Sequence, residues 1–130
     1  MAEPAPRAGK RVLIVEDEPE IAGFLAKIVG EKTPHVLLAS DGAEGLASAR
    51  RERPDLIILD MKMPQMNGLE VAQALIDDPS TASIPVLILT NTQFDPQTRR
   101  LCEQLPSVKA FLSKTGGAKR VREQLAPFLS

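Results

Sequence analysis

The sequence predicts an α/β fold, a single parallel sheet with helices on both faces, on three observations. Short unbroken aliphatic runs recur, at Val12-Leu13-Ile14-Val15, Leu56-Ile57-Ile58-Leu59 and Val86-Leu87-Ile88-Leu89. Such runs, without polar alternation, are strands covered on both faces, as in parallel sheets. Segments with helix start and stop residues separate them, so strand and helix alternate five times along the chain. Finally, the strands end in polar residues, and ligands of open α/β sheets bind beyond the carboxyl ends of the strands.

The elements follow in order. Met1 to Lys10 is rich in Ala, Pro and Gly and is expected to be a disordered lead, with the folded domain spanning 11–130. The strand Val12–Val15 runs into Glu16-Asp17-Glu18. Pro19 suits the first turn of a helix, and Ile21, Phe24, Leu25, Ile28 and Val29 form one apolar stripe that Gly30 ends. His35–Ala39 is a second strand, and Asp41-Gly42 opens an Ala-rich helix to about Arg51, broken by Pro54-Asp55. The central strand follows and ends at Asp60. Asn67 caps a helix carrying Leu69, Ala72, Leu75 and Ile76, which Asp78-Pro79 stops. The fourth strand ends at Thr90, and Asp95-Pro96 starts a helix to about Leu105. Ala110–Ser113 is a short fifth strand closed by Lys114. After Gly116-Gly117 comes a last helix with Val121 and Leu125, its regular part limited by Pro127.

Composition bounds the function. A length of 130 residues with 43% hydrophobic and 25% charged residues fits one globular domain with one core. The net charge of −1, without a dense basic block, argues against a nucleic-acid or membrane surface. Absence of Trp and Tyr removes stacking platforms for bases. No apolar run approaches the ~20 residues that span a bilayer, and the N-terminus lacks the apolar core of a signal peptide. The single Cys102 forms no internal disulfide and reads as a small buried residue, so a cytoplasmic protein is expected.

In a parallel sheet the strand ends share one edge. Glu16, Asp17, Asp60, Thr90 and Lys114 should therefore converge there. Two carboxylates ~4 Å apart repel by ~4 kcal/mol at an effective dielectric of ~20. A divalent cation relieves that repulsion, and carboxylates with waters and phosphate oxygens suit Mg²⁺. Lys114 supplies a positive charge for an incoming anion, and Thr90 a hydrogen-bond donor.

These residues carry a resemblance. Val-Glu-Asp-Glu-Pro at 15–19, Leu-Asp-Met-Lys-Met-Pro-Gln-Met-Asn-Gly at 59–68, Leu-Thr at 89–90 and Phe-Leu-Ser-Lys at 111–114 resemble the motifs of the receiver domain of two-component response regulators. Each is weak alone; the four in order at strand ends are specific, and the likeness covers roughly residues 10 to 129. It implies a (βα)5 receiver fold with sheet order 2-1-3-4-5. It implies that Asp60 accepts a phosphoryl group from a phosphohistidine on a kinase or phosphotransfer protein. Glu16, Asp17, Asp60 and the backbone carbonyl of Lys62 would hold Mg²⁺. Lys114 would pair with phosphoryl oxygens, Thr90 would move to bond them, and Phe111 would rotate inward. The face of fourth helix, fifth strand and fifth helix would then read out the change to a downstream partner or, once phosphorylated, to a second copy. With no output domain after the fifth helix, a single-domain regulator or phosphoryl shuttle is expected, without activity as an enzyme beyond its own phosphorylation and dephosphorylation.

Three departures from the family pattern stand out. Glu16 replaces the common Asp, Thr115 replaces the proline that usually follows the lysine across a cis bond, and Asn91 replaces a small residue beside Asp60. Asn91 is expected to narrow access and slow phosphoryl exchange, with Lys62 and Thr92 at the positions that tune self-dephosphorylation. The plainer alternatives are that Asp17 and Glu18 only cap a helix, that Phe111 is core, and that Arg99, Arg100, Lys119, Arg120 and Arg122 are solvated helix faces. His35 has no partner at metal-ligand spacing and is structural. Two other functions remain open: a phosphorylation-independent scaffold on the same fold, and a Mg²⁺-dependent phosphatase. Lys62 argues against the phosphatase, because one common design of that kind has a second acid there.

Overall fold

A computed structural model describes residues 10–63, 65–90 and 95–129. Five parallel strands, β1 (Val12–Val15), β2 (Val36–Ala39), β3 (Leu56–Asp60), β4 (Val86–Thr90) and β5 (Val108–Ser113), form one sheet in the order β2-β1-β3-β4-β5. Five helices alternate with them: α1 (Pro19–Gly30), α2 (Gly42–Glu52), α3 (Gly68–Asp77), α4 (Pro96–Glu103) and α5 (Gly117–Leu129). This is the (βα)5 arrangement and strand order that the sequence implies.

Alternate strand residues face opposite layers. Ile14, Ile58, Leu87 and Leu89 pack with Leu25, Ile28, Val121 and Leu125 of α1 and α5. Leu13, Ile57, Leu59 and Ile88 pack with Leu46, Val71, Leu75 and Cys102 of α2, α3 and α4. Both faces of β1, β3 and most of β4 are thus buried, which is why these strands have no polar alternation. The two sheet edges are less apolar: β2 and β5 keep partly exposed residues.

Local chemistry sets the helix ends. Asp41, Asn67 and Asp95 each accept a hydrogen bond from a backbone N–H three residues on, and Asn67 with Glu70 forms a reciprocal capping box. Four boundaries differ from the sequence reading. β2 begins at Val36, one residue after His35. β5 begins at Val108, because its first pairing, with Val86, precedes a bulge at Lys109 before Leu87 meets Ala110. α4 ends at Glu103, with Gln104 as its C-cap. α5 continues through Pro127 to Leu129. Proline there removes one intrahelical donor close to the helix end, and the buried Leu125 and Leu129 hold the last turn on the sheet. Beneath that turn, Lys10 Nζ donates to the Phe128 carbonyl at 2.9 Å, while Thr33 Oγ1 donates to the Lys10 carbonyl at 2.6 Å. Residues 1–9, most of the expected lead, lie outside the described residues.

Candidate functional site at the carboxyl edge of the sheet

Backbone ladders run past the strand ends and fix the residues that follow. Glu16 N–H donates to the Ala39 carbonyl at 3.0 Å, Met61 N–H to Leu89 at 3.1 Å and Lys114 N–H to Thr90 at 2.9 Å. Strands β1, β3 and β5, the last two with β4 between them, therefore deliver Glu16, Asp60 and Lys114 to one edge of the sheet.

Their side chains meet. Lys114 Nζ lies 2.8 Å from Asp60 Oδ1 and 3.0 Å from Glu16 Oε1. Both carboxylates are almost fully buried, Asp60 at 2% and Glu16 at 1% exposure, so water cannot solvate them in place of a partner. Lys62 N–H also reaches Asp60 Oδ1, at 3.3 Å, and Glu18 N–H donates to Glu16 Oε2 at 3.2 Å. Asp60 Oδ2, Asp17 Oδ1 and Glu16 Oε1 are buried and have no hydrogen-bond partner among the described residues; for the last, the approach of Lys114 is an ion pair without hydrogen-bond alignment. A buried polar atom left this way costs ~1–3 kcal/mol. A single ammonium does not satisfy three acids.

Burial pushes the Glu16 carboxyl from 4.5 up to about 7, Lys114 pulls it back, and neighbouring Asp60 adds to the rise. Burial disfavours the Lys114 ammonium, but the close Asp60 and Glu16 carboxylates outweigh it and hold it above the ordinary lysine value. The site stores a negative excess that only a further cation or a proton relieves.

Glu16, Asp17 and Glu18 each offer a carboxylate oxygen within 4.8 Å of the others. Hard oxygen donors with orphaned buried lone pairs fit a divalent ion such as Mg²⁺. Glu18 was not among the expected ligands; the signal was the uninterrupted acid triplet itself. Glu18 is indeed the N-cap residue of α1, yet its side chain makes no capping hydrogen bond, so the plain capping role fails for it. The Gly of Asn67-Gly68 is also part of the site's construction. A Cβ on Gly68 would stand 2.7 Å from the Asp60 carbonyl oxygen and 2.9 Å from Met61 Cα, so glycine alone lets α3 start against the end of β3.

The remaining expected residues fall as follows. Thr90 ends β4 with its hydroxyl donating to the Leu112 carbonyl at 3.4 Å, towards β5. Phe111 is half-buried on β5 and packs against the α2–α3–α4 layer. Arg99 is exposed, as a solvated helix face requires, and its guanidinium also lies 4.3 Å from the Phe111 ring centroid. Cys102 is fully buried as expected. There is no cis peptide among the described residues, so the Lys114–Thr115 bond is trans, and Thr115 N–H and hydroxyl bond Ser113 Oγ. Asn91 and Thr92 lie outside the described residues. None of the described helices is long and apolar enough to cross a membrane.

Comparison with known proteins points the same way. The family model described as response regulator receiver domain matches residues 12–126. The chain is 34% identical over 104 residues to Protein PilH of Pseudomonas aeruginosa, covering 80% of this chain and 84% of that protein. It is 43% identical over 81 residues to Response regulator PleD of Caulobacter vibrioides, 62% of this chain but 18% of that longer protein. The chemotaxis protein CheY4 of Vibrio cholerae superposes with a TM-score of 0.78 at 28% identity, over 89% of this chain and 95% of that one. With matching fold, an acidic cluster at the expected edge and a family model spanning nearly its whole length, the chain belongs to the response regulator receiver domain family.

Proposed function

We propose that this chain is a phosphoacceptor switch of a two-component or phosphorelay system, with Asp60 as the acceptor. The observation that carries the reading is the buried Asp60–Lys114–Glu16 contact, with acid oxygens left over beside it. Phosphoryl transfer asks little covalent chemistry of a protein; it needs in-line positioning and charge neutralisation. The donor is a phosphohistidine of a histidine kinase or histidine phosphotransfer protein. The Asp60 carboxylate forms the O–P bond as the P–N bond breaks, and the electron pair of that bond returns to the imidazole. Lys114 then holds phosphoryl oxygens. Glu16, Asp17, Asp60 and the Lys62 carbonyl would hold Mg²⁺, with Glu18 close by; when bound it supplies positive charge against the transferring group.

Output follows from the move of one oxygen contact. Thr90 leaves the Leu112 carbonyl for the phosphoryl group, Phe111 turns into the space that opens, and the α4–β5–α5 face changes for a downstream protein or a second copy. Lys62, Thr92 and Asn91 tune how long the acyl phosphate lasts, and Asn91→Ala is expected to speed exchange. The family is one of phosphoacceptors, so no turnover of added phosphomonoesters is expected.

The test is intact mass after incubation with Mg²⁺ and acetyl phosphate. One added phosphoryl group on the wild type and none on Asp60→Asn is the expected result. A folded wild type that takes no label from acetyl phosphate or from a phosphohistidine donor, and whose partner binding is unchanged in Asp60→Asn, would make the chain a scaffold on the receiver fold.

A further inference from the structure

We infer that Arg99 is a positioning residue that holds Phe111 in its resting place and so sets how readily Asp60 is phosphorylated. This rests on the proposed role of Asp60 and Phe111 and adds a regulator to it. The guanidinium lies 4.3 Å from the ring centroid, inside the ~6 Å range of a cation–π contact. Its Nε also lies 3.3 Å from Glu103, one helical turn on, an exposed pair of the kind that contributes little. The ring contact ties α4 to β5 across the outer surface of the sheet.

Register explains why this contact bears on the site. Ile88 pairs with Phe111 and Thr90 with Ser113, so Thr90 and Phe111 lie on the same face of the sheet, diagonal neighbours on adjacent strands. Thr90 is turned towards β5, with its hydroxyl on the Leu112 carbonyl. Movement of Thr90 towards Asp60 opens space beside the ring. For the ring to enter that space it must change rotamer, and staggered wells are about 120° apart. Such a turn takes the ring face from under Arg99. The stack is made in one arrangement only, so it favours that arrangement by its whole free energy. A partly exposed cation–π contact corresponds to a factor of about 2–5 in population. Because the fraction of the competent state scales the labelling rate, the same factor appears there.

The experiment uses the full chain with Mg²⁺ and acetyl phosphate. Arg99→Met, which keeps much of the stem and removes the cation, is expected to raise the labelling rate about 2–5-fold. Arg99→Lys is expected to restore part of the difference, and Glu103→Gln to leave the rate close to wild type. Phe111→Leu removes the ring face, so adding Arg99→Met to it should have no further effect; that non-additivity separates a latch from a loss of helix stability. The Arg99 Nε proton resonance should be shifted upfield by the ring in the resting protein, and should lose that shift on phosphorylation. An unchanged rate in Arg99→Met, full additivity with Phe111→Leu, or a ring shift that survives phosphorylation overturns the latch. Failure of the wild type to label overturns the reading of Asp60, and the latch with it.

Discussion

Glu16 is where a single methylene and a single burial decide the chemistry. The carboxyl is raised from 4.5 to about 7 by burial first and by Asp60 beside it. An acid with a raised folded-state pKa binds more protons folded than unfolded, so stability falls as pH rises between the two values. The metal-free protein should therefore lose on the order of 2–3 kcal/mol between pH 5 and pH 8 relative to Glu16→Gln, which has no proton to lose. Urea unfolding of both proteins in a chelator at the two pH values checks this. Equal pH dependence would mean that Lys114 neutralises Glu16 completely. Asp78, Asp95 and Glu31 have lowered values, so their contributions are lost on acidification, below the Glu16 window, and the paired comparison cancels them. The acids and the lysine were legible in the sequence because each closes an aliphatic run, and parallel strands bring such ends together. Arg99 over Phe111 was not legible. No residue pattern marks it, since the contact exists only once α4 lies against β5.

Among the elements, two glycines make opposite predictions. Gly68 begins α3 in contact with the Asp60–Met61 backbone, while Gly23 lies within α1 with nothing inside 4 Å of a built Cβ. Gly68→Ala must push α3 away from β3, and overpacking against backbone typically costs ~1–3 kcal/mol. Its labelling rate should fall too, because the displaced atoms belong to the acceptor residue. Gly23→Ala should stabilise by ~0.5–1 kcal/mol, the ordinary gain of alanine over glycine inside a helix. Thermal melts of the two variants test the pair, and a stabilised Gly68→Ala would contradict the close approach. Helix starts were well marked by Asp41, Asn67 and Asp95, whose side chains cap as their types suggest. The ends were less well marked. Pro127 lies inside α5 because the tertiary contacts of Leu125 and Leu129 outweigh one missing hydrogen bond. The extra residue at Lys109 cannot be seen without the partner strand.

At the scale of the whole molecule, a cation held at the proposed site would couple to global unfolding. Glu16 and Asp17 come from the loop after β1 and Asp60 from β3, and a ligand that requires them together binds only the folded chain. Mg²⁺ at ~100 times its dissociation constant should add about 2.7 kcal/mol. A rise in Tm with Mg²⁺ that is much reduced in Asp17→Asn is the expected outcome. An equal rise in both would place the ion elsewhere. The sheet order itself was open to sequence reasoning only through the family motifs, since alternation of strand and helix fixes a parallel sheet but not which strand lies in the middle. The bulge at Lys109 finally bears on how this fold tolerates changes of length. Pairing is re-phased there, so that Phe111 faces the side of Ile88, and Lys114 follows on from the pair of Thr90 with Ser113. A residue gained or lost ahead of Val108, where β5 begins, should be absorbed more readily in the approach to the strand. One lost between Ala110 and Ser113 turns the remainder over, exchanging the sides of Phe111 and Leu112 and carrying the ammonium away from both carboxylates. A change of length should therefore be tolerated better in the approach to β5 than between Ala110 and Ser113.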